Sequence, residues 1–523
     1  MPDADTAVQN TLAEGEALVF EDLLDPTAPE PEDDEEERPV RILVGLERYA
    51  LAEESLADGL ARLINSVPKE DGSAADWERA AAAAQGSAAE LIRAAATHGL
   101  VLHTGGTASL AEPAGLLRAA RELGLRAWAA AHSPLGRDAF GRLPAGADGQ
   151  DGEGAAATIA SAVSDRPESP DSSDSSDSSD SPDHPEGSAT SGRPQGSGTP
   201  ERSEGPVLPV ATVAGLLAGV EGPGRDGEGA LDLDLLVVLD APQLDVETAA
   251  LLTESLPDGA RLVLAGDPGV LWSAGPGRVF ADLLAARICP QIASRRPDRG
   301  PIGELVSGIG IGELNQVEAP GKEVVIVPVR DAGEAVHRTV QLVADSVPRA
   351  LGVPADRTQV ITPGHGGAAG TRALNAALKE RLNPGPGRFG GFDPGDRVAY
   401  SPTSGRTLPA QVVKADTDGL HLDCAGTPVV VPKDRVEQSV RHGWAITAHQ
   451  AVGSQWPAAV VVLPGDATQA LTRAWVYTAF GRAARHLSVV HGADQALAQA
   501  VADIPPKPRT TRLQTLLKTP TPS

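Results

Sequence analysis

From residue 99 onward the chain alternates short apolar runs with helix-like stretches, and this alternation restricts it to architectures built on parallel sheets. Gly99-Leu-Val-Leu-His103 runs into Thr-Gly-Gly, helix-like Pro113–Leu123 follows, and Leu125–Ala131 reads as the next strand. Leu235–Leu239, Leu262–Ala265, Val324–Val327, Gln359–Thr362 and Ala459–Leu463 continue the series with helices between them. Continuous Val/Leu/Ile runs suit strands covered on both faces, and parallel neighbours need a crossover that is usually a helix. Between Pro394 and Val440 the texture changes to short β-rich pieces such as Pro394–Val398 and Val429–Val431. That predicts a small barrel inserted in the second α/β unit. Ahead of the first strand, residues 44–64 and 74–98 carry helical spacing rich in Ala, Leu and Glu.

Charge enters because a net −27 over 523 residues argues against nucleic acid if it is spread evenly. It is not. Residues 1–37 hold 14 acids and no Lys or Arg, and residues 165–206 hold 10 acids against 3 Arg. These segments contribute −14 and −7, leaving about −6 for the rest, and a near-neutral body can own a basic groove. The acid run and the Asp-Ser-Ser repeats of Asp171–Asp180 bury too little apolar area to offset ordering and read as disordered. The first is either a solubilising tail or a mimic of DNA laid over a basic groove. Two cysteines, Cys289 and Cys424, offer neither a disulfide framework nor metal-ligand spacing and read as reduced structural thiols. No basic-then-apolar leader opens the chain, and no apolar run reaches the roughly 18–20 residues that span a bilayer. A cytoplasmic protein with no membrane partner is expected.

The last third carries the most specific motifs. Trp444-Ala-Ile-Thr-Ala-His449, Gly453-Ser-Gln-Trp456 and Ala459–Leu463 are followed by Tyr477-Thr-Ala-Phe-Gly-Arg482-Ala. In this order they resemble the A-I-T-V-H-K-S-Q-G-S-E-F and Y-T-A-V-T-R-A motifs of RecD-like superfamily 1 DNA helicases, in the TraA and exonuclease V alpha-subunit branch. Arg261–Pro268 with Ser273–Gly277, and Gln359–Pro363 with Gly370–Asn375, are similar to two further blocks of that family. The resemblance implies an α/β protein with two RecA-like P-loop lobes on parallel sheets, a small SH3-like β-barrel insertion, a helical N-terminal region and disordered acidic segments. Its layout would be a disordered acidic tail at 1–40, a helical region at 41–98, and a first lobe at 99–164 and 207–290 interrupted by the insertion 165–206. The second lobe would occupy 291–393 and 441–505 around the SH3-like insertion 394–440, with a flexible tail at 506–523. The family moves 5′→3′ on single-stranded DNA by hydrolysing ATP between the lobes, with Mg²⁺.

Phosphoryl transfer in a P-loop enzyme needs a Gly-rich cradle, a Lys on the β/γ-phosphates and a Ser/Thr on Mg²⁺. The matching segment, Thr104–Glu112, keeps Gly105 and Gly106 as nucleotide-binding candidates but places Ala111 and Glu112 at the Lys and Ser/Thr positions. Ser109-Leu-Ala-Glu112 reads as a capping box, or Glu112 caps a helix starting at Pro113. Asp240 matches the Mg²⁺-ligating catalytic Asp of the second motif, or else caps the following turn, and Ala241 stands where a Glu activates water. Asp267 belongs to the third nucleotide motif, with Val270 at the phosphate-sensing Gln, and Ala451-Val452 replaces a Ser-Gln. Arg482 matches the arginine that reaches the γ-phosphate across the lobes, or else pairs with a nearby acid; Arg295 is a weaker match of the same kind. Thr362, His365, Thr447 and His449 fall on motifs that line the DNA channel, and their donors suit phosphate and sugar contacts. Trp444 and Trp456 either stack bases or fill the core.

Two functional expectations therefore stand side by side. One is a helicase-fold protein that binds single-stranded DNA, or another helicase or nuclease subunit, with impaired ATP hydrolysis. The other is an active ATP-dependent 5′→3′ helicase. ATP and Mg²⁺ are its cofactors in the active case, and none otherwise. A structural protein acting through its disordered segments is the third possibility, and the basic stretch Lys507–Arg512 either touches an acidic partner or stays solvated.

Overall fold

The structure, a computed structural model, describes residues 4–23, 39–66, 74–144, 207–403, 406–465, 470–492 and 495–518. The Asp/Ser-rich insertion 165–206 and the acid run at 31–37 lie outside the described residues. Within the stretch expected to be a disordered tail, Ala4–Ala13 is helical, and β1 (Ala17–Leu23) pairs antiparallel with β2 (Val40–Leu46) from Ala17↔Leu46 to Leu23↔Val40. This corrects the boundary at residue 40. Most of the acids crowd into 24–37, and the apolar strand residues before them gain seven ladder positions.

Helices Glu47–Ser66, Ala74–Ala83 and Gly86–Thr97 follow. The first packs on helix Val246–Glu254, and Gly59 is what lets it approach, since a Cβ there would stand 2.8 Å from Thr253 Oγ1. The first lobe is a six-stranded sheet of β3 (Leu100–Thr104), β4 (Ala127–Ala131), β5 (Val210–Thr212), β6 (Leu235–Val238), β7 (Arg261–Gly266) and β8 (Gln291–Ala293). The order is β5-β4-β6-β7-β3-β8 and every pairing is parallel. Both faces are covered, one by a core around Leu102, Leu236, Leu264 and Phe280, the other by one around Val101, Leu117, Val237 and Val263. Because the strands are parallel, the turns after β3, β6 and β7 leave the same edge, as Thr104↔Gly266 and Val238↔Leu264 show. Open parallel sheets bind ligands at that edge.

The second lobe begins with β9 (Val324–Pro328) and β10 (Thr358–Thr362). Inserted after them is an antiparallel sheet of β11 (Arg397–Tyr400), β12 (Leu408–Ala415), β13 (Leu420–Cys424), β14 (Thr427–Val431) and β15 (Val440–His442), in the order β14-β13-β12-β11-β15. Among the described residues no ladder joins the outer strands β14 and β15, so the expected barrel is an open sheet. The lobe resumes with β16 (Ala445–Thr447), β17 (Trp456–Leu463) and β18 (Ala483–His491), giving the parallel order β16-β10-β17-β18-β9.

The expected flexible tail is also corrected. Beyond Pro506 the chain returns to the first lobe. Arg509 donates to the carbonyls of Ser273, Gly275 and Gly277 at 2.6–2.7 Å, and Arg512 Nε lies 3.3 Å from Asp22 Oδ1 with its guanidinium over the Phe20 ring. Leu513, at the head of helix Leu513–Lys518, is buried in the first-lobe core with Phe280 and Leu283. The arginines that read as solvated are thus neutralised or hydrogen-bonded within the fold.

Cys424 is buried and Cys289 half-buried, and burial raises their thiols to about 11 and about 12. The thiolate is the reactive form. Native protein at pH 8 should therefore react with a disulfide-exchange reagent about 100-fold or more slower than denatured protein. Equal rates would show that these sites are open.

Candidate functional site at the lobe interface

The turn after β3 has the strand–loop–helix form of a phosphate cradle. Gly105 and Gly106 lead into a 3₁₀ turn, Thr107–Leu110, and then helix Ala111–Glu122. The cradle's donors, however, already have protein acceptors. Gly105 N–H donates to the Gly266 carbonyl at 3.2 Å and Ser109 N–H to the Gly106 carbonyl at 3.1 Å. Thr107 and Ala108 N–H donate to Asp298 Oδ2 and Oδ1 at 3.3 and 2.6 Å.

Ala111 is buried. Glu112, 1% exposed, turns into the lobe, its Oε2 2.7 Å from His103 Nε2 and its Oε1 accepting from Ser87 and Ser294 Oγ, both at 2.8 Å. Neither capping arrangement forms: the helix N-cap is Leu110 without a side-chain cap, and Ser109 Oγ donates to the Gly106 carbonyl. Hydrogen bonds to a charged carboxylate are roughly twice as strong as neutral ones, so Glu112 is better satisfied by His103 and the serines than at a helix start. Burial pushes its carboxyl up, but the bonds from His103, Ser87 and Ser294 bring it below the ordinary glutamate value.

At the same sheet edge, Asp240 follows β6 in a left-handed conformation, φ 55°, which Asp tolerates better than most residues. Ala241 beside it is fully buried. Asp267 accepts from Tyr477 Oη at 2.6 Å and from Gly269 N–H at 2.8 Å, and burial raises its carboxyl. Arg482 crosses from the second lobe, donating to the Thr478 and Ser454 carbonyls at 3.0 and 3.3 Å. Burial lowers its guanidinium while Asp240, Asp267 and Asp298 act in the opposite sense. Asp240, Asp267 and Arg482 thus meet in one cleft with Gly105 and Gly106. Arg295 does not join them: it is 67% exposed and pairs with Glu90 at 2.9 Å. The strand β8 that precedes it aims Ser294, not Arg295, inward to Glu112.

The cleft is small, about 110 Å³, against roughly 300–1,000 Å³ for typical small-molecule sites. Val270 and Val452 line it where polar sensors were absent from the motifs. Direct bonds close it. Gln455 Nε2 donates to Thr107 Oγ1 at 3.2 Å, Leu271 N–H to Thr478 Oγ1 at 2.8 Å, Ser454 Oγ to Ser133 Oγ at 3.0 Å, and Ser133 Oγ to the Gly453 carbonyl at 2.5 Å.

A second, larger groove of about 580 Å³ runs between the lobes and the inserted sheet. Its wall includes His365, Thr447, His449, Arg397 and Arg509. Thr362 and Thr447 are register partners at the ends of β10 and β16, which is why sequence-distant motifs converge there. Thr362 itself is fully buried and donates to the Ala369 carbonyl at 3.1 Å, so it supports the wall without forming it. Thr447 caps helix Ala448–Ala451 in a capping box with Gln450. Trp444 and Trp456 are 4% and 5% exposed, the core alternative, although the edge of Trp456 reaches the groove.

Residues 442–490, spanning the end of β15, the wall of this groove and Arg482, match the model of the UvrD-like helicase C-terminal domain. The ATP-dependent RecD2 DNA helicase of Deinococcus radiodurans is 29% identical over 273 residues, 48% of this chain and 35% of that protein. The RecBCD enzyme subunit RecD of Mycolicibacterium smegmatis is 27% identical over 290 residues, 51% of each chain. Over about half its length the chain is similar to RecD-like helicases of superfamily 1. It spans about half the length or less of these curated relatives. A solved Pif1 helicase from Bacteroides in complex with ADP-AlF3 and ssDNA aligns over 76% of this chain and 89% of its own, at 10% identity and a TM-score of 0.36, too distant to argue from.

In this RecD-like chain the nucleotide edge of the first lobe is built differently from what ATP and Mg²⁺ require. The loop amides are taken by Asp298, the Lys position is the buried Ala111, and the Mg²⁺-ligand position is the engaged Glu112. Among the described residues no three His, Cys, Asp or Glu side chains are grouped to hold a metal ion. No helix among them is long and apolar enough to cross a membrane. Sequence reading missed Asp298, His103, Ser87 and Ser294. Only the dipeptide-level oddity of a Glu in a phosphate loop pointed toward a buried partner for it.

Proposed function

We propose that this RecD-like chain grips single-stranded DNA in the groove lined by His365, Thr447 and His449, and that it does not turn over ATP. The observation that carries the reading is the fate of Ala111 and Glu112. One has no charge to offer a triphosphate, and the other has its carboxylate bound inside the lobe. The groove supports the DNA half: it is bounded by both lobes and carries hydroxyl, imidazole and guanidinium donors of the kind that hold phosphates and sugars. Three of the relatives matched carry the name RecBCD enzyme subunit RecD, and a helicase or nuclease subunit is the partner class we propose for this chain.

Purified protein should show ATP turnover at background with and without an oligothymidylate. It should bind that oligonucleotide with an affinity that falls steeply between 50 and 200 mM salt, as counterion release requires. DNA-stimulated turnover that vanishes in Arg482→Ala would overturn the reading in favour of a working 5′→3′ helicase using ATP and Mg²⁺. Absence of any salt-sensitive binding would remove the DNA half.

A further inference from the structure

We propose that Asp298, on the segment joining the two lobes, is the resident anion of the phosphate loop and holds the lobes together in place of a nucleotide. The inference rests on the reading that the loop does not hold ATP, and adds what fills it instead. Strand β8 ends at Ala293 and helix Gly300–Gly310 opens the second lobe, so Asp298 sits at the junction. Its two oxygens each accept one loop amide, Thr107 N–H to Oδ2 and Ala108 N–H to Oδ1. Adjacent amides each meeting a separate oxygen of one anion is the arrangement by which such loops hold phosphate.

The packing around the carboxylate is shaped to it. Gly106 has φ −76°, open to any residue, so what glycine offers there is room for the carboxylate and not backbone geometry. A Cβ on Gly106 would collide with Asp298 Oδ2, and a Cβ on Gly303 would stand 2.5 Å from the Asp298 carbonyl. The second lobe completes the enclosure. Gln455 ties Thr107 Oγ1 to the Gly481 carbonyl at 3.2 and 3.1 Å, so the residue that binds Asp298 through its N–H binds the opposite lobe through its hydroxyl. Arg482, which in a motor would meet an incoming γ-phosphate, instead shares its cleft with Asp240 and Asp267 and feels the charge of Asp298 as well. A polyphosphate entering this cleft would have to expel one carboxylate and approach two more. Closure of the lobes, and with it the shape of the DNA groove between them, is therefore independent of nucleotide.

The test is amide hydrogen exchange and small-angle scattering on the full chain without nucleotide, comparing wild type with Asp298→Ala, Asp298→Asn and Gly106→Ala. Asp298→Ala should speed exchange at Thr107 and Ala108 by about 10- to 100-fold, the range for hydrogen bonds to a charged group, and enlarge the radius of gyration as the lobes part. Asp298→Asn, which keeps one acceptor, should fall between. Gly106→Ala retains the carboxylate but displaces it, and should reproduce the alanine result; it decides the matter if Asp298→Ala loses its far-ultraviolet dichroism. Unchanged loop protection and scattering in Gly106→Ala and the folded Asp298 variants would overturn the assignment. These readings need no ATP. DNA-stimulated turnover by the wild type would end the proposed function and leave the exchange result standing, whereas unchanged exchange beside absent turnover would end the Asp298 assignment alone.

Discussion

Glu112→Ala is expected to destabilise the first lobe by several kcal/mol, since each buried donor left without its acceptor costs about 1–3 kcal/mol. The carboxylate is 1% exposed and accepts from or faces His103, Ser87 and Ser294 at 2.7–2.8 Å, with Arg296 Nε at 3.6 Å. Alanine leaves His103 and Ser87 buried without that acceptor, and a melting point lower by roughly 10 °C should follow for a lobe of this size. Glu112→Gln, which preserves shape and one acceptor oxygen, should cost less. The same group sets an acid limit. Its folded carboxyl lies below the ordinary value of 4.5, so its contribution is present above that value and is lost as the pH falls through the folded one. Wild-type melting should drop on acidification below about pH 4.5, and Glu112→Gln should show a flatter profile there. Melting curves of Glu112→Ala that superimpose on wild type would show that the network contributes nothing.

Leu513→Ala is the second large effect. The side chain is 1% exposed and lies among Phe280, Leu283 and the other residues of the first-lobe core, where Leu→Ala typically costs about 2–5 kcal/mol. The loss should spread beyond helix Leu513–Lys518. Amide protection is expected to fall in helices Val279–Ala286 and Glu47–Ser66, which pack against it. Arg509→Ala should add to it by leaving the carbonyls of Ser273, Gly275 and Gly277 without their donor. Loss of protection limited to 513–518, with an unaltered melting point, would mean the segment merely rests on the surface.

The strands were legible because burial on both faces of a parallel sheet writes itself as continuous apolar runs: Leu235–Val238 and Arg261–Gly266 have nearly every residue buried. Gly105, Gly106, Asp240 and Asp267 converge because each follows a strand at a shared edge, and Arg482 reaches their cleft from the turn between helix Arg473–Phe480 and β18; motif order carries that information. Asp298 was not legible. It lies in an Arg/Pro-rich connection with no periodicity, and its role depends on amides 190 residues earlier in the chain. Arg295 misled for the opposite reason: an arginine beside a motif looks functional, but a one-residue difference along an extended segment exchanges the inward Ser294 for the outward Arg295. The basic run at 507–512 read as solvated because composition cannot reveal carbonyls waiting at Ser273–Gly277 or a carboxylate at Asp22.

The return of the chain to its first lobe also sets an order of assembly during synthesis. Strands β3–β8 leave the ribosome long before residue 513, yet their core stays open on one side until Leu513 arrives. The later lobe, whose own cores draw mainly on residues 271–504, can mature before the earlier one is finished. The half translated first is the half sealed last, and in the interval its uncovered apolar floor is the surface a chaperone would meet.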